Sequence, residues 1–227
     1  MPPPIFRNGQ CLSLAILSDR QSWLNDHLYD LVLAWIHDGH RVLWTHRIEE
    51  LQPGDLCFYL SCGQIVSGEV LAQFRNNLVV HESDLPSGKG WSPLTWQILE
   101  GRDRIPVTLF EAADQVDSGD IYLQEWLEFE GHELIDELRQ AQAAATLRLC
   151  REFVNRYPEL LQSAKQQNGQ ESFYPRRTPE NSRLDSSQPL AEQFNLLRIV
   201  DNEKYPAFFK LNGRQYSLKV ECLENDK

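Results

Sequence analysis

Residues 80–122 read VHESDLPSGKGWSPLTWQILEGRDRIPVTLFEAADQVDSGDIY. The stretch opens on an apolar strand end carrying a lone histidine, His81, followed by a Ser-x-Leu-Pro turn and a Gly-rich loop at Gly88-Lys89-Gly90. A second apolar run, from Ile105 to Phe110, leads into the acidic turn Val116-Asp117-Ser118-Gly119-Asp120. Two strand ends of this kind can bring an imidazole and a carboxylate to one place, as acid/base chemistry at one centre requires. A histidine after an apolar run is more often a core or loop residue. Ser83, Leu85, Pro86, Gly90 and Pro93 at fixed offsets behind it are more than a bare turn needs.

Working outward, short apolar runs bounded by Gly, Pro or Asn recur at residues 12–17, 41–44, 56–60 and 78–80. Between the first two, Leu24, Leu28, Leu31, Val32 and Trp35 keep helical spacing. Short strands buried on both faces and separated by helices predict a mostly parallel α/β sheet. The connection from Trp44 to Leu56 is too short for a full crossover helix, so an abbreviated first half is expected. After the first strand the chain reads LSDRQSW, without GxGxxG, and dinucleotide binding in the Rossmann manner is unsupported.

The 227 residues suit one domain with a small appendage: residues 1–165 as the main domain and 166–227 as a linker and C-terminal extension. From Gly131 to Phe153 apolar residues at three- and four-residue steps, with Glu133, Asp136 and Glu137 early and Arg148 and Arg151 late, predict a long amphipathic helix of structural role. Glutamine-rich residues 162–172 read as a linker, and Asn212-Gly213 between two alternating runs predicts a β-hairpin near the end.

A formal charge of -11 argues against broad electrostatic binding of nucleic acid. No apolar run approaches the roughly 20 residues that cross a bilayer, so no membrane association is expected. The cysteines at 11, 57, 62, 150 and 222 form no CxxC pair, and no hydrophobic signal segment opens the sequence. Reduced thiols in a cytoplasmic protein are the simplest expectation. The other histidines show no metal-ligand spacing, and no metal is expected.

The block resembles the formyltransferases that use 10-formyltetrahydrofolate. Val79-Val80-His81-Glu82-Ser83-Asp84-Leu85-Pro86 is similar to their Asn-x-His-x-Ser-x-Leu-Pro. Lys89-Gly90-Trp91-Ser92-Pro93, Trp96-Gln97-Ile98-Leu99-Glu100-Gly101, Pro106-Val107-Thr108 and Val116-Asp117-Ser118-Gly119-Asp120 follow in the family's order and spacing. Tyr174 to Asp185 resembles the Arg-x-Pro-Glu-Asp segment after the catalytic domain, and Asn195-Leu196-Leu197-Arg198 and Tyr205-Pro206-Ala207-Phe208-Phe209 resemble segments of sugar-modifying members. The resemblance implies a Rossmann-like formyltransferase domain with a mostly parallel sheet, binding folate and substrate at the carboxyl ends of the central strands.

It also implies site roles. His81 would donate to the oxygen of a tetrahedral intermediate, and Asp117 would hold the imidazole and an ordered water. The strand and turn around Ile105, Val107, Leu109, Val116 and Asp120 would line the pterin pocket, mainly through backbone groups. Ser83, Lys89, Gly90 and Trp91 would border the acceptor, unless Gly88-Lys89-Gly90 is a plain turn, and Arg176, Arg177 and Arg198 are candidates either for nucleotide phosphates or for bracing the tail against the catalytic domain. The family's third catalytic group, an asparagine, falls here on Val79, which cannot donate a hydrogen bond. Asn77 shares its strand parity but lies roughly 6.5 Å further back. It substitutes only if the strand end is bulged or shifted, and otherwise reads as a turn residue.

The expected activity is transfer of formyl from 10-formyltetrahydrofolate to the amino group of a nucleotide-linked amino sugar, such as those of lipopolysaccharide biosynthesis. Expected partners are the folate and the nucleotide sugar, with a homodimer left open. A tRNA-directed member, a purine-pathway member, a formyl-folate hydrolase and a non-catalytic folate- or nucleotide-binding module disarmed at Val79 remain alternatives.

Overall fold

Successive side chains of the first strand go to opposite faces of the sheet, and both faces are covered. In a computed structural model describing residues 11–113 and 115–223, β1 (Ser13–Leu17) sends Leu14 and Ile16 into the main core and Ala15 and Leu17 into a smaller one. The outer ends of the two expected segments, residues 1–10 and 224–227, and with them the reading of the N-terminus, lie outside the described residues. A strand buried on both faces belongs inside a sheet flanked by other elements.

The chain continues as α1 (Asn25–His37), β2 (Arg41–Thr45), β3 (Gly54–Tyr59), α2 (Gly68–Leu71), β4 (Phe74–His81), β5 (Lys89–Gly90), α3 (Pro93–Leu99), β6 (Arg104–Glu111) and β7 (Ile121–Glu128). Six strands form one sheet in the order β2-β1-β3-β4-β6-β7, the first four parallel and β6 and β7 antiparallel. Between β2 and β3 a single 3-10 turn, Ile48–Glu50, stands where a standard unit has a crossover helix. The first half is therefore abbreviated, and its second face is covered by Ile48, Leu51, Cys62, Val66 and the short α2.

The long helix α4 (Ile135–Asn155) packs on the main face, where Leu138, Leu149 and Phe153 meet Leu78, Val107 and Leu109 of the sheet. Asp136 and Glu137 in its first turn complement the helix dipole.

The C-terminal segment is stitched to the domain at several points. β8 (Phe173–Tyr174) pairs in parallel with β5, and Tyr174 stacks on Trp96 at 6.1 Å between ring centroids. In α5 (Phe194–Arg198), Arg198 is 1% exposed and bonded to Asp103 at 3.1 Å and Glu133 at 3.0 Å. That removes Arg198 from the phosphate candidates: every charge it offers is spent bracing the tail. Then β9 (Ala207–Leu211) and β10 (Arg214–Leu218) form the expected hairpin, with Asn212 and Gly213 at φ 49° and 77° as a type I′ turn requires.

Candidate functional site

His81 is the last residue of β4, paired with Thr108 of the neighbouring β6. The chain then bends, and that bend is fastened from both sides: Thr108 Oγ1 donates to the Ser83 carbonyl at 2.7 Å, and Gln97 Nε2 donates to the Glu82 carbonyl at 2.5 Å. Fixed in this way, His81 is 8% exposed, with Nε2 3.0 Å from the Gly88 carbonyl and 3.8 Å from Asp117 Oδ2. The histidine and the aspartate do meet.

Asp117 reaches that position through an unusual backbone. Its φ of 53° is left-handed, which costs a non-glycine residue energy unless the surroundings hold it. Three contacts hold it. The Gly90 N–H donates to Asp117 Oδ2 at 2.9 Å, and Gln167 Nε2 donates to the carbonyls of Asp117 and Gly119 at 2.9 Å each. Gly119 lets the turn fold back on β6: a Cβ there would lie 1.8 Å from the Glu111 carbonyl oxygen. Gln167 lies in the stretch expected to be a linker; the structure makes part of it the clasp on the acidic turn.

His81, Gly90 and Asp117 line a cavity of ≈ 600 Å³, large enough for a drug-sized ligand. One arm is largely apolar, walled by Tyr59, Leu71, Val79, Ala112 and Val116. Val79 thus stands on the cavity wall where a donor was expected. Asn77 does not reach it. It is neither a turn residue nor a substitute donor but a mid-strand residue, its Oδ1 accepting from Tyr59 OH at 2.9 Å and its Nδ2 donating to the Leu71 carbonyl at 3.0 Å. No bulge shifts β4 to bring it forward, because its register with β3 runs unbroken from Leu56↔Asn76 to Tyr59↔Val79.

Of the residues expected along the folate pocket, Val116 lines the cavity and Asp120 is exposed outside it. Ile105, Val107 and Leu109 are wholly buried in the main core and are not among the residues that line the cavity. On the acceptor side, Gly90, Trp91, Arg176 and Arg177 line the cavity. The Arg176 guanidinium lies 4.8 Å from the Trp91 ring centroid. Burial lowers the Arg177 pKa, and its Nε has no hydrogen-bond partner among the described residues. Ser83 and Lys89 do not line it: Ser83 is buried under the bend, and Lys89 turns away to Glu171 at 2.6 Å.

Sequence reading missed two parts of the site. Glu82, beside the histidine, faces the cavity, and burial raises its pKa although His81 and a bond from Gln142 work in the other direction. Ile135, Arg139, Gln142 and Thr146 of α4 also line it, at steps of four, three and four residues. Such spacing is a helical stripe, and its polar members were the legible signal in a helix taken as structural.

Residues 43–151 match the family model described as Formyl transferase. Among solved structures, methionyl-tRNA formyltransferase from Clostridium thermocellum is similar with a TM-score of 0.75 at 21% identity, over 95% of this chain and 96% of that one. HypX from Aquifex aeolicus in complex with tetrahydrofolic acid gives 0.72 at 18% identity, over 93% of this chain and 38% of that one. A sugar N-formyltransferase from a Shewanella species gives 0.63 at 13% identity, over 93% of this chain and 99% of that one. At these identities the likeness is one of fold, whereas the family match covers β4, His81, the acidic turn and most of α4. Residues 43–151 are thus similar to the formyl transferase family, and the whole chain shares its fold.

Proposed function

We propose that the protein transfers a formyl group from 10-formyltetrahydrofolate to the amino group of a nucleotide-linked amino sugar. The observation that carries this reading is the meeting of His81 and Asp117 at 3.8 Å on the wall of one cavity, within a segment similar to the formyl transferase family. Formyl transfer to an amine forms a tetrahedral intermediate with charge developing on oxygen. His81 is the side-chain donor for that oxygen, and Asp117, clamped by Gly90 and Gln167, orients the imidazole.

The apolar arm at Tyr59, Leu71, Val79 and Val116 fits a flat pterin ring. At the other rim, Trp91 under Arg176, with Arg177 beside them, offers a stacking surface and positive charge for a nucleotide base and its diphosphate. A net charge of -11 disfavours a polyanion such as tRNA as acceptor. A sugar N-formyltransferase shares the fold across nearly its whole length. The five cysteines are free thiols, consistent with work in a reducing cytoplasm.

Val79 favours a second reading, a folate- or nucleotide-binding module without turnover, since an oxyanion site short of one donor loses about 3–4 kcal/mol of transition-state stabilisation. Titration with tetrahydrofolate and nucleotide-linked amino sugars, followed by an assay for formylated product, separates the two. Under the enzymatic reading, His81→Ala and Asp117→Ala abolish transfer while folate still binds. Retained transfer in either variant overturns those roles, and binding without transfer in the wild type establishes the module.

A further inference from the structure

Beyond His81 the cavity continues along α4, where the stripe from Ile135 to Thr146 faces it for about 16 Å. Glu82 belongs to the same wall. Its carboxyl is hydrogen-bonded by the Gln142 side chain, and its backbone is pinned by Gln97. The residue is 8% exposed and lines the cavity. The titratable and charged groups on the same cavity are His81 on β4 and Asp117 on the acidic turn, both of which act on the Glu82 carboxyl, with Arg139 on α4 and Asp201, paired to each other at 3.0 Å.

The acceptor that the reading above requires is an aliphatic amine, which is protonated near neutral pH and cannot attack until a proton has left. Asp117 is poorly placed to remove it, because its Oδ2 already accepts the Gly90 N–H and faces His81. Glu82 is a second carboxyl on the same cavity with no such commitment to the imidazole's position. We propose that Glu82 is the general base that deprotonates the incoming ammonium group.

The ammonium gives one proton to the Glu82 carboxylate, leaving a free amine and a neutral carboxylic acid. The amine lone pair forms the new C–N bond to the formyl carbon, and the carbonyl π pair moves to the oxygen facing His81. The second proton of the attacking nitrogen passes to N10 of the folate as the C–N10 bond breaks. The proton on Glu82 then returns to solvent, so each turnover releases one proton. Burial supports the assignment, since raising a carboxyl towards neutrality makes it a better base at working pH.

The inference rests on the formyl-transfer reading, and one experiment separates their failures. Wild type, Glu82→Gln and Glu82→Asp are assayed with 10-formyltetrahydrofolate and uridine- and thymidine-diphosphate-linked 4-amino sugars from about pH 6 to 9, with folate binding followed by tryptophan fluorescence. Glu82→Gln keeps the shape and is expected to bind folate normally, lose about 10²-fold in kcat at neutral pH, and regain about tenfold per pH unit as free amine accumulates. Glu82→Asp keeps the carboxyl and is expected to retain a pH-independent plateau. A Glu82→Gln variant with the wild-type rate and pH profile overturns the assignment. A wild type that transfers formyl to none of these acceptors overturns the underlying reading, and the base with it.

Discussion

Val79 and Asn77 occupy the same face of β4, two residues apart, and their fates show what a single strand position decides. A residue at 79 looks onto the cavity; one at 77 is spent on Tyr59 and Leu71. Val79→Asn is therefore expected to raise kcat, by up to about 10²-fold, because it adds the missing oxyanion donor. Single-turnover formyl transfer checks this, and an unchanged or lower rate means the donor is supplied elsewhere or the site does not turn over. Asn77→Ala should act on stability instead. It leaves the Tyr59 hydroxyl and the Leu71 carbonyl without their partner, for a loss of about 1–3 kcal/mol in urea unfolding, with kcat of the folded protein unchanged. The sequence showed the valine and the two-residue offset; it could not show which partners Asn77 would find, because Tyr59 and Leu71 reach it only once β3 and α2 are in place.

At the scale of elements, the acidic turn is held from a distance. Asp117 adopts its left-handed backbone because Gly90, Gln167 and the gap above Glu111 at Gly119 all accommodate it. Gln167→Ala removes two hydrogen bonds from that turn, each worth about 1 kcal/mol. Hydrogen exchange at residues 117–121 should rise, formyl transfer should fall by about tenfold and the unfolding free energy should fall by up to about 2 kcal/mol; unaltered exchange would show that the turn is held without Gln167. The glycines and the aspartate were legible in their spacing, whereas Gln167 came from a polar stretch whose composition resembles any linker. The same distance explains α4. Its apolar stripe is periodic and plain, but that Arg139, Gln142 and Thr146 face a cavity follows from the helix packing beside the end of β4, which its periodicity does not contain.

Across the whole molecule, buried and bonded carboxyls give stability a pH dependence of two signs. For Asp201, burial pushes the pKa up, but the N–H groups of Lys204 and Glu203 and the Arg139 guanidinium together outweigh it and leave it lowered. Its contribution is present above the ordinary carboxylate range, about pH 4, and is lost as pH falls through the lower folded value. Glu82 runs the other way, with burial raising its pKa. What it contributes is complete below about pH 4.3 and is lost as pH rises through the folded value, so above that the wild type carries a buried charge. Urea midpoints of Glu82→Gln should therefore exceed those of wild type at neutral pH and converge with them near about pH 4. A constant offset across that range would show that the difference is not one of charge.

The sequence by itself determined the alternating strands and helix of the abbreviated first half, the long helix α4 and the terminal hairpin, and showed that His81 and Asp117 could meet. Each rests on local periodicity, turn chemistry or a short motif. Tertiary structure alone decided which residues face the cavity. Ile105, Val107, Leu109, Ser83 and Lys89 turn away from it, while Glu82, Gln142 and Gln167 join the site. Facing depends on how distant segments pack around one strand end, and side chains far apart in the chain acquire that relation only when the sheet, α4 and the C-terminal segment close on each other.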